Sequence, residues 1–150
     1  KKNIKKLENY NILFIEQPLK AGDQKKLKKV KTKIPFCADE DFYYNKKFDY
    51  KVYKWANLKV DKFGCDQNIF SAIRLCKKYK LNIMLGCMVS SSLSIIPELR
   101  YARYSNVLDL DGAKFLKKDY KNKIKYKNNF IYLNSFFAWG KKKARQKTGL

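Results

Sequence analysis

Short apolar runs recur along the chain, and a polar residue follows each of them at once. The run Ile12–Ile15 is apolar at consecutive positions, which is typical of a strand buried on both faces of a parallel sheet. We expect this strand to end at Glu16, because Pro18 cannot continue a central strand. Apolar runs near residues 35, 56, 83 and 107 predict four more strands, at intervals of roughly 20 to 27 residues.

Helical patterns separate the predicted strands. The clearest pattern makes an apolar stripe of Ile69, Phe70, Ile73 and Cys76, with Asp66 as its predicted N-cap and an end near Lys80. Other predicted caps are Asp23, Asp41 and the serines at positions 90 to 92. The alternation of strand and helix predicts an α/β fold built on a parallel sheet or barrel. The sequence contains no glycine-rich phosphate loop, which argues against a dinucleotide-binding or P-loop protein.

A different pattern follows the last of these strands. Residues 125 to 133 alternate around Asn128 and Asn129, a pair suited to the type I′ turn of a β-hairpin. We therefore predict two parts: residues 1–120 with about five parallel strands and their helices, and residues 121–150 as a C-terminal extension with a short hairpin and a basic tail.

The charge balance is strongly basic. Lys and Arg number 35 against 13 Asp and Glu, which gives a net charge of +22 and would ordinarily indicate nucleic acid or an anionic membrane surface. However, 31 of the 35 are lysine, whereas phosphate and base recognition usually depends on the planar fork of arginine. We attribute the lysine to an AT-rich genome and expect no nucleic-acid partner. The alternative, a basic nucleic-acid-binding module, predicts a lysine-rich face and binding that falls steeply with salt.

Cysteine and histidine usage limits the chemistry further. There is no histidine, and the four cysteines lack CxxC spacing, so a zinc site is not expected. Reduced core thiols are typical of a cytoplasmic protein. No apolar run is long enough to cross a membrane, and the lysine-rich start does not resemble a signal peptide. The chain begins with Lys, which suggests a fragment of a longer protein.

Polar residues at successive strand ends are the strongest functional signal. They are Glu16, Asp39, Lys59, Cys87, Asp109 and Asp111, the last two in the predicted strand 107–111. In a parallel barrel these ends meet at one mouth, where two carboxylates suit Mg²⁺ and a lysine beside the cation would have a pKa low enough to act as a base. A single acid at a strand end is more often a helix cap or a solvated loop residue, and Lys59 is one of 31 lysines. The repetition is what favours a shared site.

Five motifs, in order along the chain, resemble the enolase superfamily. They are EQPL at 16–19, ADE at 38–40, NLKVDKFG at 57–64, GCMVSSSLS at 86–94 and DLDG at 109–112. Within the superfamily they look like the muconate-lactonizing subgroup, and most like dipeptide epimerases of the L-Ala-D/L-Glu type. The match runs from about Tyr10 to Asp119, and residues 132–140 are similar to the end of the family's chain. The resemblance implies the C-terminal part of a TIM-type (β/α) barrel, covering its fourth to eighth strands.

The resemblance also implies roles for individual residues. Glu16 and Asp39 would be Mg²⁺ ligands, and Lys59 would be one of two acid/base lysines that remove and return the substrate α-proton through a metal-stabilised enolate. Asp109 and Asp111 would bind the α-ammonium group of a dipeptide, a role that suits their charge and shared face. Cys87 and Val89 would line the substrate site, with Glu40 and Asn57 supporting Lys59. Asn57 and Lys59 lie two residues apart in the predicted strand and so share a face.

The chain is too short for the whole machinery. A full barrel takes roughly 250 residues, and the family's third metal ligand and its other catalytic lysine would lie upstream of Lys1. We therefore expect the isolated 150-residue chain to be inactive and the full-length protein to be a homo-oligomer. Cys65 stands where the family often has a second glycine. A cycloisomerase or an o-succinylbenzoate synthase of the same superfamily is the alternative reading; it would dispense with an ammonium site.

Overall fold

The computed structural model describes residues 2–44, 48–121 and 123–132. Five strands, β1 to β5, span Ile15–Glu16, Phe36–Ala38, Trp55–Lys59, Asn82–Gly86 and Val107–Asp109. Six α-helices, α1 to α6, span Lys2–Leu7, Gln24–Leu27, Glu40–Tyr44, Val60–Phe63, Asp66–Lys78 and Ser92–Glu98. Two 3₁₀ helices, Leu99–Tyr104 and Gly112–Phe115, flank β5, and a hairpin pairs β6, Lys125–Lys127, with β7, Phe130–Tyr132.

The sheet is parallel, and its strands follow the order of the chain, β1-β2-β3-β4-β5. The longest pairing joins β3 to β4, from Trp55 opposite Asn82 to Lys59 opposite Gly86. This is the strand order of a barrel wall, so the α/β prediction of about five parallel strands with a C-terminal hairpin is confirmed. β1 is shorter than predicted, since pairing with β2 begins only at Ile15.

The outer face of the sheet packs against the helices. Ala56, Leu58, Ile83 and Leu85 are all buried in one cluster with the apolar stripe of α5. Ile69, Ile73 and Cys76 of that stripe are at most 3% exposed, as their helical spacing predicts. Side chains alternate along each strand, so the other face carries a separate set of residues, which includes Asn57 and Lys59.

Two predicted helix caps have other roles. Asp66 is the first residue of α5 rather than its cap, and its carboxylate pairs with Arg100 and accepts a hydrogen bond from Tyr101 Oη at 2.6 Å. Asp41 lies inside α3, fully buried, where its carboxylate accepts a hydrogen bond from the Gly22 N–H at 2.7 Å. In both cases partners far along the chain satisfy a carboxylate that the local sequence assigns to a helix end.

The other predicted caps stand where they were expected. Asp23 and Ser91 occupy the N-cap positions of α2 and α6, although neither side chain makes a capping hydrogen bond. α2 ends at Leu27. α6 includes Pro97 in its last turn, and a 3₁₀ helix continues from Leu99.

The hairpin turn has the predicted geometry. Asn128 and Asn129 have φ angles of 50° and 62°, and positive φ at both central residues defines the type I′ turn. The predicted basic tail lies outside the described residues. Within residues 2–44, 48–121 and 123–132, no helix combines the length and the hydrophobicity needed to cross a bilayer.

Candidate active site at the strand ends

The predicted polar residues meet at the carboxyl edge of the sheet. Glu16 pairs with Cys37, Lys59 with Gly86, and Gly86 with Asp109. Residues paired across parallel strands project to the same face, so Glu16, Lys59 and Asp109 share the inner face of the sheet. Asp39 lies two residues beyond Cys37 and follows the end of β2. We refer to Glu16, Asp39, Asn57, Lys59 and Asp109 as the strand-end site.

Asp39 is the electrostatic centre of this site. Its carboxylate is 6% exposed and forms two ion pairs, with Lys59 Nζ at 2.8 Å and Lys62 Nζ at 2.7 Å. Lys62 also lies over the ring of Tyr43, 4.7 Å from the ring centre. Both lysine side chains are less than one-fifth exposed, so water screens these pairs less than it screens surface ion pairs. Asp39 is therefore held on both oxygens.

Lys59 is shifted toward its charged form. Burial by itself lowers its pKa, but the hydrogen bond and charge of Asp39, with the charges of Glu16 and Glu40, raise the pKa overall. The lowered pKa predicted from the sequence applies to a lysine beside a bound cation, whereas the neighbour of Lys59 in this structure is the Asp39 carboxylate, which raises the pKa. Glu40, the first residue of α3, therefore influences Lys59 through its charge.

Asn57 connects the two sides of the strand-end site. Its Nδ2 donates to Glu16 Oε1 at 2.7 Å, and the residue is 1% exposed. A Cβ atom on Gly86 would lie 2.3 Å from Asn57 Oδ1, so only glycine leaves room for this side chain. Tyr43 Oη donates to the Asn57 carbonyl at 2.9 Å and accepts from the Lys59 N–H. The backbone that carries Asn57 and Lys59 is thus fixed from α3.

Asp109 and Asp111 lie together, but not in one strand. β5 ends at Asp109, and Asp111 occupies the N-cap position of the following 3₁₀ helix, because the chain turns there toward Gly112. Both line a cavity of about 690 Å³ whose other wall includes Asn129 and Phe130 of the hairpin. Burial and the charge of Asp111 raise the pKa of Asp109, while the charge of Lys59 lowers it. Asp109 therefore interacts electrostatically with Asp111 beside it and with Lys59 across the sheet.

Cys87 and Val89, which were predicted to line the substrate site, lie outside the cavity that contains Asp109 and Asp111. The Gly112 N–H bonds to the Cys87 thiol, and burial raises the pKa of this thiol to about 11. Cys87 therefore remains protonated at neutral pH. Val89 is 65% exposed in the loop after β4, and neither residue lines the cavity that contains Asp109 and Asp111.

Three residues of this region were not predicted from the sequence. Lys62 forms an ion pair with Asp39, and Tyr43 donates a hydrogen bond to the backbone near the end of β3. Gln17 accepts a hydrogen bond from the Asp39 N–H with its side-chain oxygen at 3.0 Å. Gln17 and Lys62 lie within the EQPL and NLKVDKFG motifs, so the motifs were the available signal.

The donor set fits part of a magnesium site. Glu16 and Asp39 are carboxylates on neighbouring strand ends that face the same side, and oxygen donors are what Mg²⁺ prefers. The described residues contain no group of three or more His, Cys, Asp or Glu side chains that could hold a metal. Glu16 and Asp39 would therefore supply two ligands, and the other ligands would come from water, substrate or further protein.

The parallel strands in chain order, with polar residues at their carboxyl ends, are the arrangement of one side of a (β/α) barrel. A model of the family described as "Enolase C-terminal domain-like" matches residues 1–135. The chain belongs to this family, as the motifs indicated.

Several relatives are epimerases or racemases. The N-acetyl-D-glutamate racemase of Pseudoalteromonas sp. is 34% identical over 92% of this chain and 44% of the relative. An enolase family member from Agrobacterium tumefaciens with homology to dipeptide epimerases, crystallised with sodium and L-Ala-L-Glu, is 27% identical. It superposes with a TM-score of 0.79 over 89% of this chain and 41% of its own. A Cytophaga hutchinsonii dipeptide epimerase complexed with Mg and D-Ala-L-Val is 23% identical, with a TM-score of 0.73 over 87% and 38%.

Other curated relatives, 27–31% identical, are L-Ala-D/L-Glu or L-Ala-D/L-amino acid epimerases. The chain spans 33% to 44% of the length of the curated relatives that it matches.

Proposed function

We propose that this chain is the C-terminal part of a cytoplasmic, Mg²⁺-dependent dipeptide epimerase that inverts the α-carbon of L-Ala-D/L-Glu-type dipeptides. The observation that carries this proposal is the position of Lys59. It is ion-paired to Asp39 on one side and influences the pKa of Asp109 on the other. Lys59, the residue that would carry the proton, thus lies between two pairs of carboxylates. Glu16 and Asp39 are suited to a metal ion, and Asp109 and Asp111 are suited to an ammonium group.

Each part of the strand-end site has a task in this reaction. Glu16 and Asp39 would hold the Mg²⁺, which when bound supplies charge stabilisation next to the substrate carboxylate. Lys59 Nζ moves the proton on one face of the α-carbon, accepting it as an amine and donating it as an ammonium. Tyr43 and Asn57 keep Lys59 aimed at the inner face through the backbone bonds described above.

Asp109 and Asp111 give the proposal its substrate class. Two carboxylates in a cavity of about 690 Å³ attract the α-ammonium group of a dipeptide. The pKa of Asp109 is raised first by burial and then by the charge of Asp111, and a bound ammonium group would stabilise the ionised carboxylate against both effects. Residues 1–120 would form the barrel portion and residues 121–150 the extension that contains the hairpin.

Inversion needs a second base on the opposite face of the α-carbon, and the family pattern places that lysine and a third ligand upstream of Lys1. We therefore expect the 150-residue chain alone to give no turnover. The test is a chimera that joins this chain to the preceding part of the Agrobacterium tumefaciens relative. Epimerisation of L-Ala-L-Glu with Mg²⁺ in D₂O is followed by NMR, through loss of the α-proton signal.

We expect the chimera to epimerise the dipeptide and Lys59→Met to lower kcat by about 10²- to 10⁴-fold, the usual contribution of a positioned acid/base. Lys54→Met, an exposed lysine on the same chain, is the control. Asp109→Asn with Asp111→Asn should raise KM for the dipeptide. A folded chimera that leaves the dipeptide unchanged, or that is insensitive to Lys59→Met, contradicts the proposal.

A second candidate is racemisation of an N-acylated amino acid. The 34% identity to N-acetyl-D-glutamate racemase favours it. An N-acyl substrate has no ammonium group, so its turnover should be insensitive to loss of the two carboxylates. Turnover of N-acetylglutamate by the chimera, unchanged when both aspartates become asparagine, would select this candidate. A cycloisomerase or o-succinylbenzoate synthase would turn over neither compound.

A further inference from the structure

The side chain of Gln17 joins the ends of β1 and β2. Its Oε1 accepts the N–H of Asp39 at 3.0 Å and the N–H of Asp41 at 3.1 Å. Its Nε2 donates to the Leu19 carbonyl at 2.8 Å and to Asp41 Oδ2 at 3.2 Å. One amide group therefore makes four hydrogen bonds, two of them with the backbone N–H groups of Asp39 and Asp41.

The backbone of Gln17 is held in a strained conformation. Its φ angle is +32°, in the region that favours glycine, and its N–H donates to the Cys37 carbonyl at 2.9 Å. Glycine would adopt this conformation with less strain but would lack the amide. A strained backbone beneath a fully bonded side chain indicates that the position requires the amide itself.

The far end of this link is firmly anchored. Asp41 is fully buried, and its carboxylate accepts hydrogen bonds from the Gly22 N–H and from Tyr53 Oη as well as from Gln17. Tyr53 is also fully buried, against the apolar cluster that contains Leu27 and Phe36. Gln17 thus ties the Asp39 backbone to a buried part of the core, and Gln17 itself directly follows Glu16 in the chain.

We propose that Gln17 is a positioning residue that fixes Asp39 relative to Glu16, so that both carboxylates present their oxygens to one cation. This inference rests on the proposed function for the identity of the cation. The amide bonds to Asp39 and Asp41 set where the β2 end lies, and the strained turn sets where the β1 end lies. Without the amide, no side-chain bond from Gln17 holds the Asp39 backbone, and the two strand ends depend on the backbone pairing of two short strands and on the bond from Gly22 to Asp41.

The first test needs no metal. Lys59 and Lys62 are protected by their ion pairs with Asp39, so their acetylation rates, measured by mass spectrometry on the intact fold, report whether Asp39 stays in place. Gln17→Met keeps the length of the side chain and removes all four bonds. We expect it to speed labelling of Lys59 and Lys62 severalfold and to leave the exposed lysines unchanged.

Gln24→Met is the matched control. Gln24 is also buried, 5% exposed, and its Oε1 accepts the Asp49 N–H at 2.9 Å, away from the strand-end site. It should cost comparable stability without changing the labelling of Lys59 or Lys62. If Gln17→Met does not fold, Gln17→Gly relieves the strained φ angle and also lacks the amide, and the same increase is expected. Unchanged labelling of Lys59 and Lys62 in the folded Gln17 variant overturns the inference.

The second test uses Mn²⁺, whose free form is measured by electron paramagnetic resonance, with Mg²⁺ as competitor. We expect Gln17→Met to weaken Mn²⁺ binding by about 10- to 100-fold, as is usual for groups that orient a metal ligand, while Gln24→Met does not. Equal Mn²⁺ affinity in wild type and Gln17→Met overturns the inference. If wild type itself binds no Mn²⁺, the metal part of the proposed function fails in this chain, and the lysine labelling still decides the role of Gln17.

Discussion

Glu98 provides a stability prediction that depends on pH. This residue ends α6, is 1% exposed, and neither of its carboxylate oxygens has a hydrogen-bond partner among the described residues. Burial, reinforced by the negative charge of Asp61, raises the pKa of Glu98 from 4.5 to about 8. The neighbouring Cys87 and Tyr43 are neutral at neutral pH, since the pKa of each is raised, so neither offsets this shift.

The sign follows from which state holds the proton. Below about pH 4.5, Glu98 is protonated in both the folded and the unfolded chain, and it has no effect. Between pH 4.5 and about 8 the unfolded chain ionises while the folded chain keeps its proton, so stability falls as the pH rises. The loss is on the order of 1 kcal/mol per pH unit, and several kcal/mol by pH 8. Above pH 8 both states are ionised and the cost stays constant.

Glu98→Gln removes the ionisable group while keeping the shape of the side chain. We expect the variant to be more stable than wild type at pH 8 by several kcal/mol, and this advantage to shrink steadily toward pH 5. Urea unfolding followed by circular dichroism at pH 5, 6, 7 and 8 measures the difference. Glu8→Gln is the control: the hydrogen bonds that Glu8 accepts from Thr32 and the Lys33 N–H lower its pKa, so it should show no trend between pH 6 and 8. A Glu98→Gln difference that is constant from pH 5 to 8 refutes the reasoning.

Three further outcomes can be measured in the same chain. Gly86→Ala should lower the free energy of unfolding by about 1–3 kcal/mol, because the new methyl group meets Asn57 Oδ1; Asn57→Ala in the same chain should recover part of the loss. Tyr53→Phe should cost about 1.5–3 kcal/mol, since it removes a hydrogen bond to the buried Asp41 carboxylate; a loss below 0.5 kcal/mol by urea unfolding would contradict this. A cavity of about 880 Å³ beside the hairpin is lined by six lysines. The alternative of a nucleic-acid-binding module predicts that neutralising three exposed ones reduces single-stranded DNA binding at low salt and flattens its salt dependence, whereas the same change at Lys20, Lys51 and Lys54 does not. The three replaced by glutamine are Lys117, Lys123 and Lys125.

The arrangement of the strands could be predicted from the sequence because it depends on short, local patterns. The consecutive apolar positions around Leu58 and Leu85 and the helical stripe through Ile73 are each decided within a few residues. The pair Asn128 and Asn129 is equally local, because positive φ at both positions is a property of the turn itself. Local patterns also located the carboxyl ends of these strands closely enough to predict that Glu16, Lys59 and Asp109 lie at the same edge of the sheet.

Roles that depend on distant partners were not predictable in the same way. Asp41 and Asp66 have the sequence context of helix caps, but Tyr53 and Arg100 bind them instead. Glu98 gives no local sign of its burial. In each case the deciding contact joins residues that lie far apart along the chain, and residue spacing carries no information about it.

The sheet order has a consequence for how such a chain is made. Strands that are neighbours in the sheet are consecutive in the sequence, so the strand pairing of each strand–helix unit becomes available soon after the next strand leaves the ribosome. Such a protein can be assembled from its amino end by adding one unit at a time, with β5 as the last strand of the sheet and the hairpin added after it. A break in the chain between two such units would therefore separate only one pair of neighbouring strands and leave the other pairings within continuous pieces of chain.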